Sequence, residues 1–272
     1  MNPRKLFFGI LTLSLCFVAV GEEQTKPCTH FNAPEAHQAV AVDANYVYAI
    51  DSDAIGKYDK VTGNAVKQWK ASEQAPVHHL NSGAVFEGKL YCAHSNYPAL
   101  PMTSSIEIWD TDTLEHSDSH SFGIRYGSCT WIDRHNEYWW VLFAHYGAHK
   151  GYPDKDESWT TLIKFDNNWQ EVEGYVFPEI VLKQLQPYSC SGGSWGPDNL
   201  LYCTGHNNPV LYVMNLPKAG SELILERIAH FGIDGQGIAF DRSGTGLLYG
   251  IIRDEKAVVA APIDMLSEVK RE

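Results

Sequence analysis

What the chain lacks narrows its class before any motif is read. Past Val20 no apolar run reaches the roughly 18 to 20 residues that a membrane helix needs, so no membrane span is predicted. No Cys-x-x-Cys pair occurs, which argues against a thiolate zinc site and against thioredoxin-type chemistry. No Asn-x-Ser/Thr sequon is present. Cations are scarce: 21 Lys and Arg stand against 33 Asp and Glu, a formal net charge of -12. Such an acidic balance disfavours nucleic acid and anionic membranes as partners and suits neutral or cationic ligands. No Gly-x-Ser-x-Gly elbow exists, and Ser82 and Ser191 lack its strand-to-helix context, so a serine hydrolase is not expected. Gly192-Gly193 and Gly235-Gln236-Gly237 open no helix, so they read as close packing and not as phosphate cradles.

The first 21 residues read as a secretory leader. Arg4 and Lys5 form a basic head, Leu6 to Val20 an apolar run, and Ala19-Val20-Gly21 a small-x-small cleavage site. Leu15 before Cys16 argues against lipid attachment, which wants a small residue there. The expected mature chain, residues 22–272, is therefore secreted or periplasmic and has a formal charge of -14 once Arg4 and Lys5 are gone. It reads as one domain without linker or low-complexity segment.

What is present is a repeat. Five β-rich runs close on Asp51, His94, His145, His206 and Asp254, and each is followed by a second run that closes on Asp59, Asp110, Asp166, Asn215 and Asp264. The latter positions fall 51, 56, 49 and 49 residues apart, and a period of roughly 40 to 50 residues of short strands marks a β-propeller. Turn clusters such as Glu87-Gly88, Asp133 to Asn136 and Pro197 to Asn199 punctuate the runs. The expected fold is all-β: a five-bladed β-propeller of four-stranded antiparallel blades, with six blades needing shorter units than the sequence offers. The stretch around Thr29 to Ala36 is expected to lend an outer strand to the last blade. The segment Ile55 to Lys70, with Asp59, Thr62, Gly63 and Trp69, resembles the blade repeat of quinoprotein-like and YVTN-type β-propellers, and Ser105 to Glu115 repeats it without the glycine. That resemblance implies architecture and no activity, since such repeats occur in enzymes and binding proteins alike.

Propeller geometry gathers the starts of the first strands and the ends of the second strands at one mouth. His37, His78, His79, His94, His145 and His206, half of the 12 histidines, fall there. The segments 95–103 and 146–159 are the longest loops on that face, where binding groups tend to sit. His94, His145 and His206 end equivalent strands and are expected to converge on one divalent metal, zinc or manganese. A hard-oxygen calcium site from Asp51, Asp53, Asp234 and Asp254 is the weaker alternative. Without metal, His145 or His94 is the candidate general acid or base, with Tyr126 and Arg253 stabilising developing charge. His37, His79, Asn81, Ser82, Asn96, Tyr146, Ser189, Asn207 and Gln236 are the candidate ligand-binding residues. The predicted function is binding of a small polar or saccharide-like ligand in a His- and Tyr-rich funnel, with a metal- or histidine-assisted hydrolase or lyase reaction. The alternative is a non-catalytic module that presents this face to a protein or glycan. For the cysteines, a bridge between Cys190 and Cys203 is the first expectation and one between Cys92 and Cys129 the second.

Overall fold

The computed structural model describes residues 29–73 and 77–268. The expected leader, Cys16 and Cys28 lie outside the described residues. Strand β1 (His30–Asn32) precedes the first full blade. Blade 1 is β2 (Ala39–Val42), β3 (Tyr46–Asp51), β4 (Ala54–Asp59) and β5 (Ala65–Lys70); blade 2 is β6 (Leu80–Phe86), β7 (Lys89–Ser95), β8 (Ser104–Asp110) and β9 (His116–Gly123). Blade 3 is β10 (Ser128–His135), β11 (Tyr138–Ala144), β12 (Thr161–Phe165) and β13 (Glu171–Val176). A short helix, α1 (Glu179–Leu185), leads into blade 4, formed by β14 (Gly192–Trp195), β15 (Leu201–Thr204), β16 (Val210–Asn215) and β17 (Ile224–His230). Blade 5 holds β18 (Ala239–Phe240), β19 (Leu247–Ile252) and β20 (Ala257–Pro262).

Its fourth strand is β1, which pairs antiparallel to β20 with Phe31 opposite Val258. The ring is thus closed by the N-terminal stretch expected to do so. A further strand, β21 (Ser267–Glu268), adds to the outer edge of blade 4 and not to blade 5. The all-β, five-bladed architecture read from the repeat is the one observed.

The acid that closes the third strand in blades 1, 2 and 3 has a local cause. The Asp59 carboxylate accepts from the backbone N–H groups of Val61 and Thr62 and from the Thr62 hydroxyl. Asp110 does the same for Asp112 and Thr113, and Asp166 for Asn168 and Gln170. Such side-chain bonds build the turn that sends the chain into the outer strand. In blade 1 that turn needs Gly63 at a φ of 71°, a left-handed conformation glycine adopts freely.

Stability comes from five apolar layers wedged between neighbouring blades. Trp131, Trp140, Trp195 and Tyr212 fill the layer between blades 3 and 4, which α1 covers with Val181, Leu182 and Leu185. Trp139, Phe143 and Phe165 fill the layer between blades 2 and 3. A fully buried side chain such as Phe143 stabilises by about 1.5–3 kcal/mol. On the axis the residues are small: a Cβ on Gly237 would overlap that of Ala39 and lie 2.9 Å from that of Ser82. The innermost strands consequently close on one another, leaving a void of about 10 Å³ lined by Gly83, Gly193 and Ala239 among others.

Both disulfide expectations need correction. Cys92, Cys129, Cys190 and Cys203 are free buried thiols. Cys190 and Cys203 lie in the same apolar layer with their thiols in contact but unbridged, and the Cys190 sulfur also takes the Trp131 indole N–H at 3.3 Å. Cys92 packs in the layer between blades 1 and 2 and Cys129 in that between blades 2 and 3, on opposite sides of one sheet.

Candidate functional site

The mouth face carries the starts of the innermost strands and the connections from second to third strands. His79, just before β6, is its hub. Burial foremost, then the adjoining His94, with His37 and His206 adding and Asp51 opposing, pushes His79 down to about 4, so its imidazole is neutral at pH 7. Its ring nitrogens have no hydrogen-bond partner among the described residues. The His79 ring lies 5.3 Å from Tyr97, and Tyr97 lies 5.0 Å from Tyr146. Across the mouth, His206 stacks on Tyr188 at 3.9 Å and 10°, with His149 edge-on to Tyr188 at 5.0 Å.

A polar chain completes the ring between blades 5 and 1. His37 Nδ1 meets Asp51 Oδ1 at 3.1 Å, its Nε2 meets Arg253 Nη2 at 3.2 Å, and the Arg253 backbone N–H donates to Asp234 Oδ2 at 2.9 Å. Beside them lies a cleft of about 540 Å³ lined by His37, Asn207, Asp234, Arg253, Asp254 and Lys256. All five blades contribute to this face.

Several residues expected at the site serve the scaffold instead. His145 is buried, and its Nε2 donates to the Tyr126 carbonyl at 2.6 Å. Tyr126 turns outward: its ring stacks on Phe143 and its hydroxyl donates to Glu171 at 2.9 Å. His94 accepts the His78 backbone N–H on Nε2, which puts its proton on Nδ1, 2.9 Å from the Ser105 hydroxyl; Ser105 in turn donates to Glu107 at 2.6 Å. Asn81 donates to the Cys129 carbonyl, stapling blade 2 to blade 3. Ser189 bonds Thr160 at 2.8 Å, and Asn96 bonds Pro101 and Thr103 within its own loop. Gln236, at a φ of 69°, ties blade 5 to the Gly205 and His206 carbonyls. Ser82, 1% exposed, sits on the axis with no partner for its hydroxyl.

His94, His145 and His206 are thus not gathered into one ligand set, because the first two spend ring nitrogens on strand and loop groups. Among the described residues no cluster of three or more His, Cys, Asp or Glu side chains is placed to hold a metal ion, the four aspartates of the calcium reading included. His94, His37 and His206 lie near enough to His79 to disfavour its protonation. Sequence reasoning placed His79, Tyr97, Tyr146 and Tyr188 at the mouth, with His79 as a ligand-binding residue or further metal ligand and Tyr97 and Tyr146 as rings for a sugar, but it did not pair His79 with Tyr97 or His206 with Tyr188. Their position in the loops and strand starts of the mouth was the available signal.

No family model matches the chain, and no curated protein matches it in sequence. Solved structures do share its shape. A PQQ-bound aldose sugar dehydrogenase from Streptomyces coelicolor aligns over 90% of this chain and 82% of that one, at 11% identity and a TM-score of 0.50. Virginiamycin B lyase from Staphylococcus aureus aligns over 89% and 73%, at 13% identity and a TM-score of 0.45. At these identities the likeness is one of fold, and the chain is a β-propeller repeat protein.

Proposed function

We propose that the mouth binds a small, uncharged, hydroxylated ligand of saccharide type, met by a secreted or periplasmic protein. The observation that carries this reading is the row of flat rings, His79 to Tyr97 to Tyr146, facing the stacked pair His206 and Tyr188. Half-buried aromatic faces take the apolar faces of a sugar ring, while neutral imidazoles both donate and accept for its hydroxyls. His79 suits an assisting role in a hydrolase or lyase step, because it is neutral, half-buried and unengaged at both ring nitrogens.

The test is calorimetric titration of the protein with a panel of mono- and disaccharides. Saturable binding is expected for at least one sugar, weakened about threefold to tenfold by Tyr97→Ala or Tyr188→Ala, as befits ring contacts of ~0.5–1.5 kcal/mol. If no sugar binds, or both variants keep full affinity, the reading falls. Any turnover of a bound sugar should be lost in His79→Gln with binding retained; turnover that survives this change removes His79 from the chemistry.

A further inference from the structure

The face opposite the mouth, where the first and second strands of each blade are joined, carries a second site. We propose that it binds a small organic monocarboxylate. Two adjoining clefts of about 590 Å³ and 440 Å³ share Arg242, His135 and Asn136. Arg242 is fixed from below: its Nη2 donates to Asp133 Oδ2 at 2.6 Å, and Asp133 is itself held by the Trp195 backbone N–H at 2.7 Å and the Ser194 hydroxyl at 3.2 Å. The only other acceptor near Arg242 is the Trp195 carbonyl, 3.5 Å from the same Nη2. Its remaining donors therefore have no acceptor among the described residues, on a side chain 43% exposed. A guanidinium locked in place with donors to spare is preorganised for the planar fork of a carboxylate.

The walls agree with that ligand. Arg134 lies over the rings of Phe86 and Trp139, 4.9 Å from each. Its Nη2 donates to Asn167, and its buried Nη1 has no acceptor, an unfavourable state for a charged donor that an incoming oxygen relieves. His135 stacks flat on Trp195 at 4.3 Å. Its Nε2 faces the Asn136 amide at 2.8 Å, which assigns the ring proton to Nδ1 as a further donor. Val85 and Phe86 supply an apolar side for the organic part. Glu87 and Glu137, exposed at the tips of the two turns, repel a second negative charge, so a monocarboxylate fits where a phosphate dianion does not.

Calorimetry of the full protein with acetate, benzoate and inorganic phosphate tests this. Acetate or benzoate should saturate a single site, and phosphate should bind more weakly than either. Arg242→Gln should weaken carboxylate binding at least tenfold, and the double change Glu87→Gln with Glu137→Gln should strengthen it severalfold. Should Arg242→Gln fail to fold, Asn136→Asp serves instead. It puts a repelling charge on an exposed turn residue whose left-handed φ of 48° aspartate tolerates, and a tenfold loss is again expected. Tyr97→Ala, in the opposite mouth, should leave carboxylate affinity unchanged. The proposal is overturned if neither acid saturates, if Arg242→Gln and Asn136→Asp bind as the parent does, if phosphate binds more tightly than both acids, or if Tyr97→Ala weakens carboxylate binding as much as Arg242→Gln.

Discussion

At the residue scale, His79 couples the mouth to pH. An unfolded chain protonates this imidazole near the ordinary histidine value of 6.5, whereas the folded protein refuses the proton until about pH 4. Between those values the unfolded state binds more protons, so stability falls as pH drops from 6.5 towards 4 and is fully present above 6.5. His94, His145 and His206 are shifted down as well, burial being the first cause in each case, so they act in the same direction. The urea midpoint is expected to drop between pH 7 and pH 5, and a His79→Leu variant should show a smaller drop. An equal drop in both proteins would mean that His79 is not a source of it. The same low value keeps His79 neutral at pH 5, so sugar binding at the mouth should survive to that pH.

At the scale of the element, the innermost strands are under the tightest constraint. Gly237 faces Ala39 and Ser82 across the axis with no room for a methyl group. Gly237→Ala is therefore expected to cost about 1–3 kcal/mol or more by overpacking, read as a lower denaturant midpoint. A change within experimental error would show that the ring opens to make room. The contrast with the mouth explains what the sequence could and could not reveal. Strand runs, their turns and the acid closing the third strand of blades 1 to 3 are local features: the Asp59 carboxylate reaches only as far as Thr62, and a period of such features counts blades. Which imidazole stays free is decided by partners far along the chain. His94 and His145 end equivalent strands just as the repeat says, yet a backbone N–H from residue 78 and a carbonyl from residue 126 claim their nitrogens. Tyr126 likewise falls near the mouth in sequence, but Phe143 and Glu171 draw its side chain outward. The cysteines are a related case: Cys190 and Cys203 meet in one apolar layer, as the hairpin suggests, yet remain free thiols.

At the scale of the whole molecule, closure joins blade 5 to blade 1 at two levels. Phe31 of β1 enters the apolar layer between those blades and lies 5.4 Å from the Tyr58 ring. On the face opposite the mouth, Lys60 of blade 1 meets Asp241 of blade 5 at 2.8 Å, with both side chains almost fully buried. Burial alone would raise Asp241, but the Lys60 ammonium and the Thr245 and Ser243 hydroxyls outweigh it and hold its carboxyl below the usual range. Lys60→Met leaves that carboxylate buried and uncompensated, and a loss of about 3–5 kcal/mol is expected, measured by chemical denaturation. A cost near zero would show that Asp241 finds another partner or a proton. The closure also orders events in time. Residues 30–32 are made long before residues 257–259 exist to receive them, so the first strand among the described residues waits for nearly the last. Any step that acts on the chain before it is complete, whether transport or proteolysis, meets that strand as a loose end and the ring as an open arc.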